Sequence, residues 1–91
     1  RNSNMIKKPV VVQISAGAEA RPVALLVQVA SQYESKIYLE TENKRINAKS
    51  IMGMMTLNLT EGEALTVSVE GCDEEAAADR IEKYLTGRIA S

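Results

Sequence analysis

The stretch Asn47-Ala48-Lys49-Ser50-Ile51-Met52-Gly53-Met54-Met55 ends a short strand and opens a helix. Ser50 stands where a helix N-terminal residue is expected, and Ile51 to Leu57 has the length of only two turns, with Gly53 lowering its intrinsic stability. So short a helix must lean on the rest of the chain, and it cannot turn Ile51, Met52, Met54, Met55 and Leu57 all inward. Its counterpart upstream is Gly17-Ala18-Glu19-Ala20-Arg21-Pro22, a second strand-to-helix junction. Gly17 admits the positive φ of a sharp turn, and Pro22 suits a first helical turn because its missing N–H would be unpaired there anyway. Function is expected where these two helix starts meet.

Before the upstream junction, Lys7 to Ile14 reads as a strand: Val10, Val11, Val12 and Ile14 are β-branched, and Pro9 is tolerated on an edge or at a first position. After it, Pro22, Leu26, Val29, Ala30 and Tyr33 recur at three- and four-residue spacing while Gln28 and Gln32 fall off the stripe, which predicts a helix from about Ala20 to Tyr33. Ile37 and Leu39 alternate with Lys36, Tyr38 and Glu40 as in a half-buried strand. Glu42-Asn43-Lys44-Arg45 makes a turn in which Asn43 tolerates a left-handed conformation, and a strand from Arg45 to Ala48 returns as a hairpin.

Beyond the loop Thr60-Glu61-Gly62-Glu63, Leu65, Val67 and Val69 alternate with Thr66, Ser68 and Glu70, a strand with one dry and one wet face. Gly71-Cys72-Asp73 ends it. Asp73 is a favourable N-cap and Glu74 and Glu75 complement the helix dipole, so a last helix spans Glu74 to Leu85, with Ala77, Ala78, Ile81, Tyr84 and Leu85 inward and Gly87 near its end. The order βαββαβα predicts an α+β fold, an antiparallel sheet of four strands with three helices on one face. Order alone does not separate it from a ferredoxin-like fold, because both contain split βαβ units.

At 91 residues the chain is expected to be one small domain, residues 5–91, since a second core would leave each half too little apolar surface to bury. Arg1-Asn2-Ser3-Asn4 lacks apolar periodicity and reads as an expression remnant or a disordered tail, with Met5 the natural start. Lys and Arg number 11 against 12 Asp and Glu, so no field of one sign argues for direct nucleic-acid or membrane binding. One cysteine, Cys72, and no histidine exclude a disulfide framework and leave no zinc constellation, so neither metal nor cofactor is expected. No apolar run approaches the roughly 20 residues of a spanning helix and no signal-peptide pattern precedes the first strand; a reducing, cytoplasmic location is expected. Cys72, beside Gly71 in a turn and without a second thiol, reads as structural.

Two separated motifs now bear on the family. Gly17, Ala20, Arg21 and Pro22 match Gly-Leu-His-Ala-Arg-Pro, and Asn47-Ala48-Lys49-Ser50-Ile51-Met52-Gly53 matches a regulatory-serine motif; from Met5 to Leu85 the chain resembles the HPr family, the small phosphocarriers of the bacterial sugar phosphotransferase system. The resemblance implies an open-faced β-sandwich. Where that family has its phosphate-accepting histidine, this chain has Glu19, and the preceding leucine is Ala18. It is thus similar to the catabolite-repression HPr-like regulators, which lack the histidine, retain the serine and carry glutamine at that position.

The resemblance implies a non-enzymatic regulator, with Ser50 phosphorylated by HPr kinase/phosphorylase and the product bound by a catabolite-control transcriptional repressor, phosphotransferase-system proteins being further partners. Ile51, Met52 and Met55 would form the docking patch, helped by Arg21 and Lys49, while Glu19 marks a degenerate phosphohistidine position whose permanent charge imitates the phosphorylated state. Each residue also has a plainer role. Ser50 reads as an ordinary cap, Met54 and Leu57 as core, Lys49 as solvated surface, and Glu19 as a complement to a helix N-terminus. Two other functions fit: a phosphocarrier with an altered or acyl-phosphate site at Glu19, and an HPr-like interaction module serving an unrelated partner.

Overall fold

A computed structural model describes residues 5–13, 22–57 and 62–87, without the side chains of Pro22 and Val23. The tail at residues 1–4, the Gly17 turn, the helix start at Ala20, Ile14, Thr60, Glu61, Glu19 and Arg21 lie outside the described residues. The elements follow the expected order: β1 (Ile6–Val11), α1 (Pro22–Ala30), β2 (Lys36–Glu40), β3 (Arg45–Asn47), α2 (Ile51–Met54), β4 (Ala64–Glu70) and α3 (Glu74–Leu85).

The four strands form one antiparallel sheet in the order β1-β4-β2-β3. β4 pairs on one side with β1, Val67 opposite Lys8, and on the other with β2, Val67 opposite Leu39. β1 and β2 therefore run parallel on either side of β4, and α1 carries the chain across it. β1 lies at an edge, where Pro9, opposite Thr66, is tolerated. Alternation sends Val10, Ile37, Leu39, Ile46, Leu65, Val67 and Val69 to one face, and Leu26, Val29, Met54, Ile81 and Leu85 close over them from the helices. The other face has no helix over it among the described residues, as in the expected open-faced sandwich. It carries a polar group in which the Glu40 carboxylate takes Arg45 Nε at 3.1 Å and lies 3.8 Å from Lys7 Nζ, with the Arg45 guanidinium 4.0 Å above the Tyr38 ring.

Several expectations change, each for a tertiary reason. α1 stops at Ala30 instead of Tyr33: the Gln32 and Tyr33 amides turn back to carbonyls only three residues earlier, at 3.2 Å, because bonds to distant residues draw the next segment away. The wet face of β4 is not wet at Ser68, which is buried between Lys7 and Tyr38 on the flanking strands. Asn43 does not adopt a positive φ; the hairpin is closed by Thr41 N donating to Lys44 O at 2.8 Å and Lys44 N to Thr41 Oγ1 at 3.2 Å. α2 is one turn, Ile51–Met54, after which Thr56 and Leu57 continue through three-residue backbone bonds. Cys72, in the turn after β4, is exposed, with Sγ 3.8 Å from Glu34 Oε1.

Asp73 departs most from expectation. It precedes α3 and its carbonyl accepts from Ala77 N at 2.9 Å, but its carboxylate makes no capping bond. Instead Oδ2 accepts from Glu34 N at 2.9 Å, and Oδ1 accepts from Ser35 N at 3.0 Å and from the Ser35 hydroxyl. The turn before β2 is thereby tied to the turn after β4. Gly71 makes the approach possible: a Cβ there would lie 2.6 Å from Ser35 Cα and Oγ. The Ser35 hydroxyl bond, then the Glu34 amide, hold the Asp73 carboxyl below its ordinary value.

Gly71→Ala is expected to destabilise the fold by about 1–3 kcal/mol through overpacking, read as a lower urea midpoint. A midpoint equal to the parent's would mean that the turn yields without cost. Because the folded Asp73 pKa is depressed, its contribution is present above the unfolded value and lost as pH falls through the folded one. Asp73→Asn should therefore be less stable than the parent at neutral pH, with the gap narrowing from about pH 4 downward.

Candidate functional site

The residues singled out in the second motif form a single turn seated on β3. Asn47 ends the strand and organises the next step: its Oδ1 accepts from Lys49 N at 2.8 Å and its carbonyl from Ser50 N at 3.0 Å. Ser50, extended at φ −99° and ψ 112°, is the N-cap of α2, its Oγ accepting from Gly53 N at 3.2 Å and its carbonyl from Met54 N at 2.9 Å. The far end is held as well, since Lys44 Nζ donates to Thr56 O at 3.2 Å.

Within this turn the apolar residues divide by helical spacing. Met54 is fully buried and Leu57 nearly so, joining the core, whereas Met52 is 78 % exposed, Met55 71 % and Ile51 47 %. Residues 51, 52 and 55 share one face because neighbours three and four apart lie side by side on a helix, and that face has no described element over it. Three large apolar side chains are thus grouped beside the half-buried Ser50.

Lys49 has a role that its sequence context did not signal. Half-buried, it donates from Nζ to the Tyr33 carbonyl at 2.6 Å, in the turn that follows α1. The partner-docking expectation for Lys49 therefore competes with a structural bond joining the turn after α1 to the α2 junction. Glu19 and Arg21, in the upstream motif, lie outside the described residues. Among the described residues no group of three His, Cys, Asp or Glu side chains can hold a metal ion. No described helix is long and apolar enough to cross a membrane.

A family profile for the HPr component of the phosphotransferase system, described as its phosphorylation site, matches residues 6–86. The chain belongs to the HPr family. Among curated HPr-family proteins, it is 41 % identical to the HPr-like protein Crh of Halalkalibacterium halodurans, over 89 % of this chain and 96 % of that protein. It is 49 % identical to the phosphocarrier protein HPr of Treponema pallidum, over 93 % of this chain and 97 % of that one. The crystal structure of a phosphocarrier protein HPr from Bacillus anthracis superposes with a TM-score of 0.82 at 41 % identity, covering 89 % of this chain and 96 % of that chain. The HPr-family chain is accordingly phosphocarrier-like, and its antiparallel sheet with three helices is the family's fold.

The division of methionines is open to measurement. Met54→Ala is expected to cost about 2–5 kcal/mol, as for other buried large-to-small changes. Met52→Ala and Met55→Ala should each stay within about 0.5 kcal/mol of the parent. Urea unfolding of the three variants checks the contrast, and equal losses at all three positions would mean that the exposed face is covered in solution.

Proposed function

We propose that this HPr-family chain is a regulatory protein of carbon catabolite repression, phosphorylated on Ser50 by HPr kinase/phosphorylase and then bound by a catabolite-control transcriptional repressor in the cytoplasm. The observation that carries this reading is the grouping of a half-buried Ser50 hydroxyl with the exposed Ile51, Met52 and Met55. Phosphorylation adds a charge of about −1.5 to −2 and three acceptor oxygens at the margin of an apolar patch, so a partner reads shape and charge together. Flexible methionines suit a surface that meets more than one partner. Ile51, Met52 and Met55 supply the contact, and Arg21 and Lys49 are the cations that the family resemblance assigns to partner binding.

The chemistry at position 19 supports a regulatory role over a carrier role. The chain has no histidine, so no imidazole nitrogen is available to take a phosphoryl group, and Glu19 presents a standing negative charge where the family's motif has its acceptor. In this proposal Glu19 imitates the phosphorylated state. A second reading, a phosphocarrier using an acyl phosphate on Glu19, draws on the greater identity to the Treponema pallidum phosphocarrier, 49 %, than to the Halalkalibacterium halodurans Crh, 41 %.

Intact mass after two separate incubations discriminates the readings, one with HPr kinase and ATP and the other with enzyme I and phosphoenolpyruvate. One phosphate from the kinase alone, absent in Ser50→Ala, is the expected result. Labelling by enzyme I that is lost in Glu19→Gln would instead establish the carrier, and no labelling by either would remove both.

A further inference from the structure

α2 is a helix of only four residues, and its third position is Gly53, the residue with the greatest backbone entropy to lose. The backbone does not require it there: among the described residues positive φ occurs at Gly62, Gly71 and Gly87, not at Gly53. What surrounds it is a better guide. A Cβ on Gly53 would lie 3.4 Å from Ser50 Oγ and 3.7 Å from Ser50 Cβ on one side, and 3.3 Å from Ile46 Cγ2 on the other.

We propose that Gly53 is a positioning residue for Ser50, keeping clear the space around Oγ that a phosphoryl group must enter. The inference rests on the reading of Ser50 as the phosphate acceptor and says how that acceptor is presented. In the transfer, a bond forms between Ser50 Oγ and the γ-phosphorus of a nucleoside triphosphate. The bond from that phosphorus to its bridging oxygen breaks, the nucleoside diphosphate leaves with the electron pair, and the Oγ proton passes to a base of the kinase. Ser50 Oγ has two lone pairs, and the Gly53 N–H already occupies one at 3.2 Å. The remaining pair makes the attack. A methyl group on Gly53 would take up van der Waals space beside that same oxygen, where the incoming phosphoryl oxygens need room. The amide that orients the hydroxyl and the missing side chain that leaves it accessible thus belong to one residue.

The contact with Ile46 offers a purely structural explanation, so the test separates the two. Ile46→Leu has no Cγ2 and relieves that side alone. Gly53→Ala and the Gly53→Ala/Ile46→Leu pair are compared with the parent and Ile46→Leu for melting temperature and for kcat/KM of Ser50 phosphorylation by HPr kinase. The expected result is a fall in kcat/KM on the order of tenfold or more in both Gly53→Ala proteins, persisting when the melting temperature is restored in the pair. Phosphorylation at the parental rate in Gly53→Ala, or full rescue by Ile46→Leu, overturns the inference and leaves Ser50 as acceptor.

A kinase-independent measurement covers the remaining case. In a Cys72→Ser background, Ser50→Cys is labelled with the anionic thiol reagent sulfonatoethyl methanethiosulfonate, with and without Gly53→Ala. Slower labelling in the presence of Gly53→Ala supports the clearance role even if the parent proves not to be a kinase substrate, which would overturn only the regulatory reading. Equal labelling rates overturn the clearance role itself.

Discussion

The fold depends on β4 being hydrogen-bonded along both edges. Its partners, β1 and β2, come from far apart in the chain, and every residue from Thr66 to Val69 has a counterpart on both of them. Because side chains alternate, a slip of one residue would turn Leu65, Val67 and Val69 outward and Thr66 and Ser68 into the core, so burial holds the register. α1 must then cross over β4 to join β1 to β2, and the connection from β3 through α2 must cross β2 to reach β4. Both junctions that carry the sequence motifs lie on these crossings.

Polar bonds at two points finish what the sheet begins. The Asp73 carboxylate accepts from Glu34 and Ser35, and the Lys49 ammonium donates to the Tyr33 carbonyl, so the segment following α1 is gripped from α3 on one side and from the α2 junction on the other. A one-turn helix has little stability of its own. α2 persists because Met54 is buried in the core, Ser50 caps its start and Lys44 holds the backbone just beyond its end. The same shortness leaves Ile51, Met52 and Met55 outside. An exposed apolar cluster on a firmly held turn is a surface ready for a partner, and a serine at its edge is well situated to alter that surface through charge.

At position 19 the chain departs from the family's motif, Glu19 standing in place of the histidine, and the difference is chemical. A carboxylate and an imidazole differ in charge at neutral pH and in the bond each would form with phosphorus: an acyl phosphate for one, a phosphoramidate for the other. In the proposed signalling role, with Glu19 in place of the imidazole, the α2 surface is the focus and recognition takes the place of transfer.

The sequence by itself determined the element order, the alternating core positions of β2 and β4, the inward residues of α3 from Ala77 to Leu85 and the capping position of Ser50, because strand and helix periods and capping preferences act over a few neighbours. The same local signal showed that the α2 residues could not all be buried. The family resemblance sets Ile51, Met52 and Met55 apart from Met54 and Leu57, but only the tertiary structure shows why, through which face of the turn meets β3 and α1. It also decided that Asp73 and Lys49 spend their polar groups on residues remote in sequence, that α1 ends at Ala30, and that Ser68 is shaded between two strands. Each of these is a contact between segments far apart in the chain, for which no local pattern carries a signal.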